Sequence, residues 1–168
     1  MKKLLLAAAG LCAVGTASAS SAQTASANPR ATAGARLIKP LSLTADQNLN
    51  FGTIVLGNLT GDQTVRMDLS GAITCGTGGL TCAATGQTAR FTVTGTQGQV
   101  VTVRSAANFT LTGSNGGTLV FTPTLPAPIT LGNSGSPGNS FSVGGSIVIA
   151  ANQPDGVYSG EIDIQVNY

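Results

Sequence analysis

The chain of 168 residues contains no histidine and no tryptophan, and only 8% of its residues carry charge. Without imidazole, the usual general base and the commonest metal ligand are both missing. A serine nucleophile would have to rely on a lysine, and beyond the first three residues Lys39 is the only one. No G-x-S-x-G occurs, so nucleophilic hydrolysis is not expected. Carboxylates are few as well, at six. Glu161 and Asp163 are the closest pair, but alternation puts them on the polar face of the last segment, where a solvated role is expected rather than glycoside chemistry. Asp46, Asp62 and Asp155 read as turn residues. A calcium loop needs several carboxylates within about a dozen residues, and no such cluster exists. The chain is therefore expected to be no enzyme and to hold no cofactor or metal.

Two further absences narrow the partners. Apart from Lys2 and Lys3, basic and acidic residues balance, so there is no basic patch for nucleic acid and no polybasic stretch for a membrane surface. The seven aromatics, five Phe and two Tyr, all fall in segments that read as strands, which leaves none for an exposed stacking platform. Long apolar runs are also missing after the first residues, so no transmembrane segment is expected beyond them.

What is present begins with an address. Met1-Lys2-Lys3, the apolar run at residues 4–14 and the small residues that follow describe a secretory signal peptide, residues 1–19, with cleavage after Ala19 or Ala22. Export to the periplasm, cell surface or medium is expected. Cys12 would leave with the leader, and the remaining pair, Cys75 and Cys82, is expected to form a disulfide in a glycine-rich hairpin tip. Residues 20–30 are small and polar without periodicity, and read as a flexible tail ahead of a single domain at residues 31–168.

Within that domain the pattern is strand after strand. Residues 49–55, 63–69, 88–94, 99–104, 108–112, 118–122 and 141–151 alternate with period two, broken by turn signals such as Asn115-Gly116-Gly117. Residues 123–140 carry four prolines and read as a loop or edge. The clearest strand is the last. In residues 154–168 one face collects Tyr158, Gly160, Ile162, Ile164, Val166 and Tyr168, after a Pro-Asp-Gly turn. Helical periodicity is absent, so the expected fold is all-β, an immunoglobulin-like antiparallel β-sandwich. Ala31, Ala33, Ala35 and Leu37 share one parity, and form either the domain's first strand or a detached strand offered to a neighbour by β-strand addition.

The segments L-I-K-P-L-S-L at residues 37–43, L-N-F-G-T-I at 49–54, F-T-V-T-G at 91–95 and G-V-Y-S-G-E-I-D-I-Q-V-N-Y at 156–168 resemble a secreted bacterial family known only as a domain of unknown function. More loosely, the ending is similar to that of spore coat protein U and of chaperone-usher fimbrial subunits. This resemblance implies a pilin-like sandwich, held by a periplasmic chaperone and usher and completed by a neighbour's strand. The cysteine pair departs from the commoner placement in those subunits. A non-enzymatic structural subunit of a surface filament or coat is thus expected, with self-assembly as its activity. The alternative is a monomeric exported module that binds carbohydrate or a surface partner through the loops at residues 75–82 and 123–140.

Overall fold

The computed structural model describes residues 28–168. The chain divides into two units, Met1–Ala35 and Arg36–Tyr168. Of the first, only residues 28–35 are described, and they carry no strand; the expected signal peptide and most of the expected tail lie outside the described residues. The second unit is the fold.

Thr, Val, Ile and Phe at alternate positions leave a strand as the only way to bury one side of each segment. Thirteen strands result, and no helix among the described residues: β1 Ser42–Gln47, β2 Ile54–Leu56, β3 Gln63–Met67, β4 Ile73–Thr74, β5 Leu80–Cys82, β6 Ala89–Thr94, β7 Val100–Ser105, β8 Phe109–Gly113, β9 Thr118–Thr124, β10 Ile129–Thr130, β11 Asn139–Ile149, β12 Tyr158–Ser159 and β13 Ile164–Asn167. All pairings are antiparallel. The largest sheet runs β1-β6-β11-β9-β8-β12, with β3 and β4 joined at β11; a second runs β10-β7-β13, and β2 pairs only β5.

The eleven-residue strand β11 organises the large sheet. Its first half pairs β6 from Asn139 to Val143, and its second half lies between β9 and β3. Gly144 and Gly145 sit at the changeover. A Cβ on Gly144 would stand 2.5 Å from the Met67 carbonyl oxygen, and one on Gly145 would run into the Phe121 ring. The close approach requires glycine at both positions.

Two clusters of buried side chains follow from this division. One gathers Phe91, Val93, Val101, Val103, Leu131, Phe141 and Val143 between the β1-β6-β11 end of the large sheet and the β10-β7-β13 sheet, with Phe91 and Phe141 stacked at 5.6 Å. The other gathers Phe51, Val65, Met67, Leu119, Phe121, Ile147 and Ile149, with Phe51 edge-on to Phe121 at 6.2 Å. Burying each large side chain contributes roughly 1.5 to 3 kcal/mol. The architecture is an antiparallel β-sandwich with two adjoining cores.

The structure departs from the sequence expectation mainly at the two ends of the domain. The first strand is Ser42–Gln47, and residues 28–41 lie in no strand. Residues 123–140 are loop and edge as expected: β10 is an edge strand of the second sheet, and Pro123 and Thr124 end β9 beyond its pairing with β8. The cysteine arms pair each other only at their base, through the Ala72–Thr85 bridge, and beyond it β4 pairs β3 while β5 pairs β2. Lastly, the terminal strand is two strands, with residues 160–163 in no ladder between them. Gly160 crosses so close to β8 that a Cβ there would meet the Thr110 carbonyl at 2.5 Å, and the chain then leaves the large sheet for the second one.

Candidate functional site

The two cores are covered differently. Over the first, three strands close the second layer. Over the second, the covering layer consists of the two-stranded β2-β5 ladder and the unpaired stretch at residues 160–163. Between these lies a groove of about 1120 Å³. Its floor is made by Phe51, Leu111, Leu119, Phe121, Ile147 and Ile149. One wall is residues 47–54 with Leu56, and the other is residues 153–163.

Both walls contain backbone outside any ladder. Residues 51–53 link an isolated bridge at Asn50 to β2, and residues 160–163 link β12 to β13. Ile162, half-buried, packs against both cores and lines the groove from the terminal segment. Segments of this kind on either side of an apolar floor offer donors and acceptors to an added strand.

The walls also differ in charge. Among the described residues, the lining includes the carboxylates Asp155, Glu161 and Asp163 and no lysine or arginine. Asn48, Asn50, Gln47 and Thr53 make the opposite wall polar but uncharged.

The disulfide supports one of these walls. Cys75 and Cys82 are bonded, with their Cα atoms 5.9 Å apart. Cys75 follows β4, which belongs to the large sheet, while Cys82 ends β5, which pairs only β2. The bridge therefore ties the small ladder to the large sheet. An isolated two-stranded ladder is marginal in water, and this one is braced.

The terminal segment holds its remaining residues as alternation dictates. Tyr158, Ile162, Ile164 and Val166 are half-buried, and Val166 pairs Val103 in the second sheet. The Tyr158 hydroxyl donates to the Pro154 carbonyl at 2.6 Å and accepts from the Gln153 amide at 2.7 Å, which fixes the turn before it. Tyr168, expected in the core, is instead 43% exposed. Its hydroxyl donates to the Lys39 carbonyl at 2.5 Å and accepts from the Thr96 amide at 2.8 Å, so its polar tip is held at the surface.

Those contacts pin the start of the domain. Lys39 also donates its backbone N–H to the Thr96 hydroxyl at 2.6 Å, and Leu41 packs against the first core. Before Lys39 the chain is exposed: Ala31, Ala33 and Ala35 lie on no strand, and Leu37 is 87% exposed. Among the described residues no three His, Cys, Asp or Glu side chains come together, and no helix is long and apolar enough to cross a membrane.

The groove was not legible in the sequence, because its floor residues come from strands distant in the chain. The only available signal was Gly160 and Gly156 interrupting an otherwise apolar face.

With this geometry the match to known proteins is a modest one. The family described as Domain of unknown function (DUF4402) matches residues 41–168. The chain belongs to that family. The matched stretch begins where the chain is first anchored by packing, at Leu41, and spans every strand of this DUF4402 domain. No curated protein and no solved structure matches the chain.

Proposed function

We propose that this DUF4402 protein is a non-enzymatic, exported structural subunit of a surface filament or coat, completed by an extended segment that lies in the groove as an added strand. The observation that carries this reading is the uneven covering layer: a groove of about 1120 Å³ opens over the second core, with backbone outside any ladder on both walls. Strand addition there draws affinity from main-chain hydrogen bonds and selectivity from alternate side chains meeting the floor. A disulfide, the leader-like start of the sequence and the absence of histidine favour an exported protein that assembles over one that catalyses. A periplasmic chaperone and an usher are the partners such assembly would use on its way out.

Size-exclusion chromatography and electron microscopy of the chain from residue 20 onward test the reading. Higher-order species, rods or linear arrays are expected, and they should disappear when the groove is narrowed by the bulky substitution Thr53→Trp in a protein that circular dichroism shows to be folded. A protein that is monomeric at every concentration, alone and with its exported neighbours, would overturn it. A monomer that loses a carbohydrate or surface ligand when residues 75–82 or 123–140 are replaced would establish the binding-module alternative.

A further inference from the structure

The chain has one Asn followed directly by Gly, Asn115-Gly116, and one Asp followed directly by Gly, Asp155-Gly156. The fold brings the two pairs together. Asn115 and Gly116 form the tip between β8 and β9, while Asp155 and Gly156 lie on the terminal wall of the groove, just before β12. A Cβ on Gly156 would stand 3.6 Å from that of Asn115. Two hydrogen bonds fasten the tip to the wall: the Ser114 N–H donates to the Val157 carbonyl at 2.9 Å, and the Val157 N–H donates to the Ser114 hydroxyl at 3.1 Å.

We propose that Asn115 is a site of self-modification, at which the side-chain amide is lost and the hold of the tip on the groove wall is weakened. The Gly116 nitrogen attacks Cγ of Asn115. An N–C bond forms, the Cγ–Nδ2 bond breaks, and the amide proton of Gly116 leaves with Nδ2 as ammonia, giving a five-membered succinimide. Water then adds across either ring C–N bond. One opening yields aspartate; the other yields isoaspartate, whose main chain is one carbon longer.

The residues around Asn115 suit this chemistry. Glycine has no Cβ to shield the attacking nitrogen. Both residues are exposed, so water reaches the ring. The Asn115 side chain meets only the Ser114 hydroxyl, at 3.5 Å, and among the described residues its Nδ2 donates to nothing, which leaves it free to turn onto the backbone. Asn133 and Asn139, each followed by Ser, are held instead. Asn133 donates to the Gly138 carbonyl at 2.9 Å, and Asn139 accepts from the Gly132 N–H at 2.7 Å while donating to the Asn133 carbonyl at 3.1 Å. A brake exists at Asn115 as well. The Gly116 N–H donates to the Gly113 carbonyl at 3.2 Å, the long end of the normal range, so the tip must open before the nitrogen can attack. Its neighbour β12 is only two residues long, which makes that opening local.

Either product disturbs the wall. A carboxylate at position 115 adds like charge beside a turn that carries Asp155, on a wall lined by Glu161 and Asp163 and by no lysine or arginine among the described residues. In isoaspartate the extra carbon also shifts Ser114 against Gly116, and with it both bonds to Val157.

Ageing the chain from residue 20 onward, at neutral pH and in mild base, tests this. Peptide mapping by mass spectrometry should find ammonia replaced by water at residue 115, sooner in base because the attacking group is the deprotonated amide, with Asn133 and Asn139 intact. Hydrogen exchange in the aged protein should quicken several-fold at the Ser114 and Val157 amides and stay unchanged at Val93. Asn115→Gln, which would have to close a six-membered ring, should remain unmodified and keep its wall protected through the same ageing. The proposal is overturned if Asn115 stays intact in the folded protein while the urea-unfolded chain converts, or if Asn133 or Asn139 converts first. Conversion at residue 115 with unchanged exchange at Val157 overturns it too, since the tip would then not govern the wall.

Discussion

The two halves of this sandwich are built from the same kinds of residue and end differently. Around Val93, Phe141 and Val143, the second layer is a three-stranded sheet that encloses the core, and only Ala89 and Phe91 at its margin reach the groove. Around Phe51, Phe121 and Ile147, it is a two-stranded ladder and an unpaired stretch of chain, and the core is the floor of a groove. Composition does not explain this, since each cluster holds two phenylalanines surrounded by aliphatic side chains. What differs is the path of the terminal segment. It starts beside β8 over the second core and crosses at residues 160–163 to β7 over the first. A strand that serves both sheets completes only one of them.

The largest expected effect comes from placing a charge in each half. Val143 is fully buried in the closed half, where a carboxylate would have neither water nor a partner. Val143→Asp should leave no folded protein, a loss of more than about 4 kcal/mol. Ile162→Asp, on the half-buried residue at the edge of the groove, should remain folded with a loss of about 1 to 3 kcal/mol, because water can follow the charge. Thermal unfolding by circular dichroism measures both, and equal losses would show that the second half is as closed as the first.

Much of the closed half can be read from the sequence and little of the open half. Phe91, Val93, Val101 and Val103 alternate within segments that are local strands, and local periodicity is what sequence records best. Residues 154–168 keep the same parity throughout, with Tyr158, Ile162, Ile164 and Val166 half-buried as alternation requires. The same constancy hides the change of sheet, because a strand that moves from one partner to another need not shift its inward face. Ser42–Gln47 escapes for the opposite reason: only Leu43 and Gln47 are partly shielded in it, so there is little alternation to see. The groove depends on which strands are absent, and absence of a partner has no residue to mark it. Likewise the disulfide is readable as a pair, but its task of bracing β2-β5 is not, since β5 finds its partner more than twenty residues upstream.

An intermediate effect should come from that brace. Closing a loop of this size is worth about 2 to 3 kcal/mol in the chain-entropy account. Replacing both Cys75 and Cys82 with Ser should lower stability by that amount. The loss should be local at first. Hydrogen exchange is expected to quicken at Val55 and Leu80 well before Val93 or Val143, because the ladder that holds the groove wall opens by itself. Uniform acceleration across both cores would mean that the bridge supports the whole domain and that the two halves open together.

The smallest effect lies at the turn beyond β3, on the open half's sheet. Asp68 accepts hydrogen bonds from the Ser70 hydroxyl at 2.6 Å and from the backbone N–H groups of Ser70 and Ala72 at 2.8 and 3.0 Å. The Ser70 hydroxyl is the largest cause that holds its carboxyl below the usual aspartate value of 3.8; desolvation opposes it, and the backbone amides of Ala72, Ser70 and Gly71 each add a smaller pull downward. A carboxyl depressed in the folded state binds its proton more readily when unfolded, so it stabilises the fold above pH 3.8 and loses that contribution as pH falls through the lower folded value. Asp68→Asn should therefore leave the stability of the protein slightly reduced at pH 7 and flatten its decline below pH 4, measured as melting temperature against pH. The group is fully exposed, so the change should be small, and it should be felt as faster opening of the β3-β4 turn rather than in the first core. An acid decline that is unaltered in Asp68→Asn would place the sensitivity outside this turn.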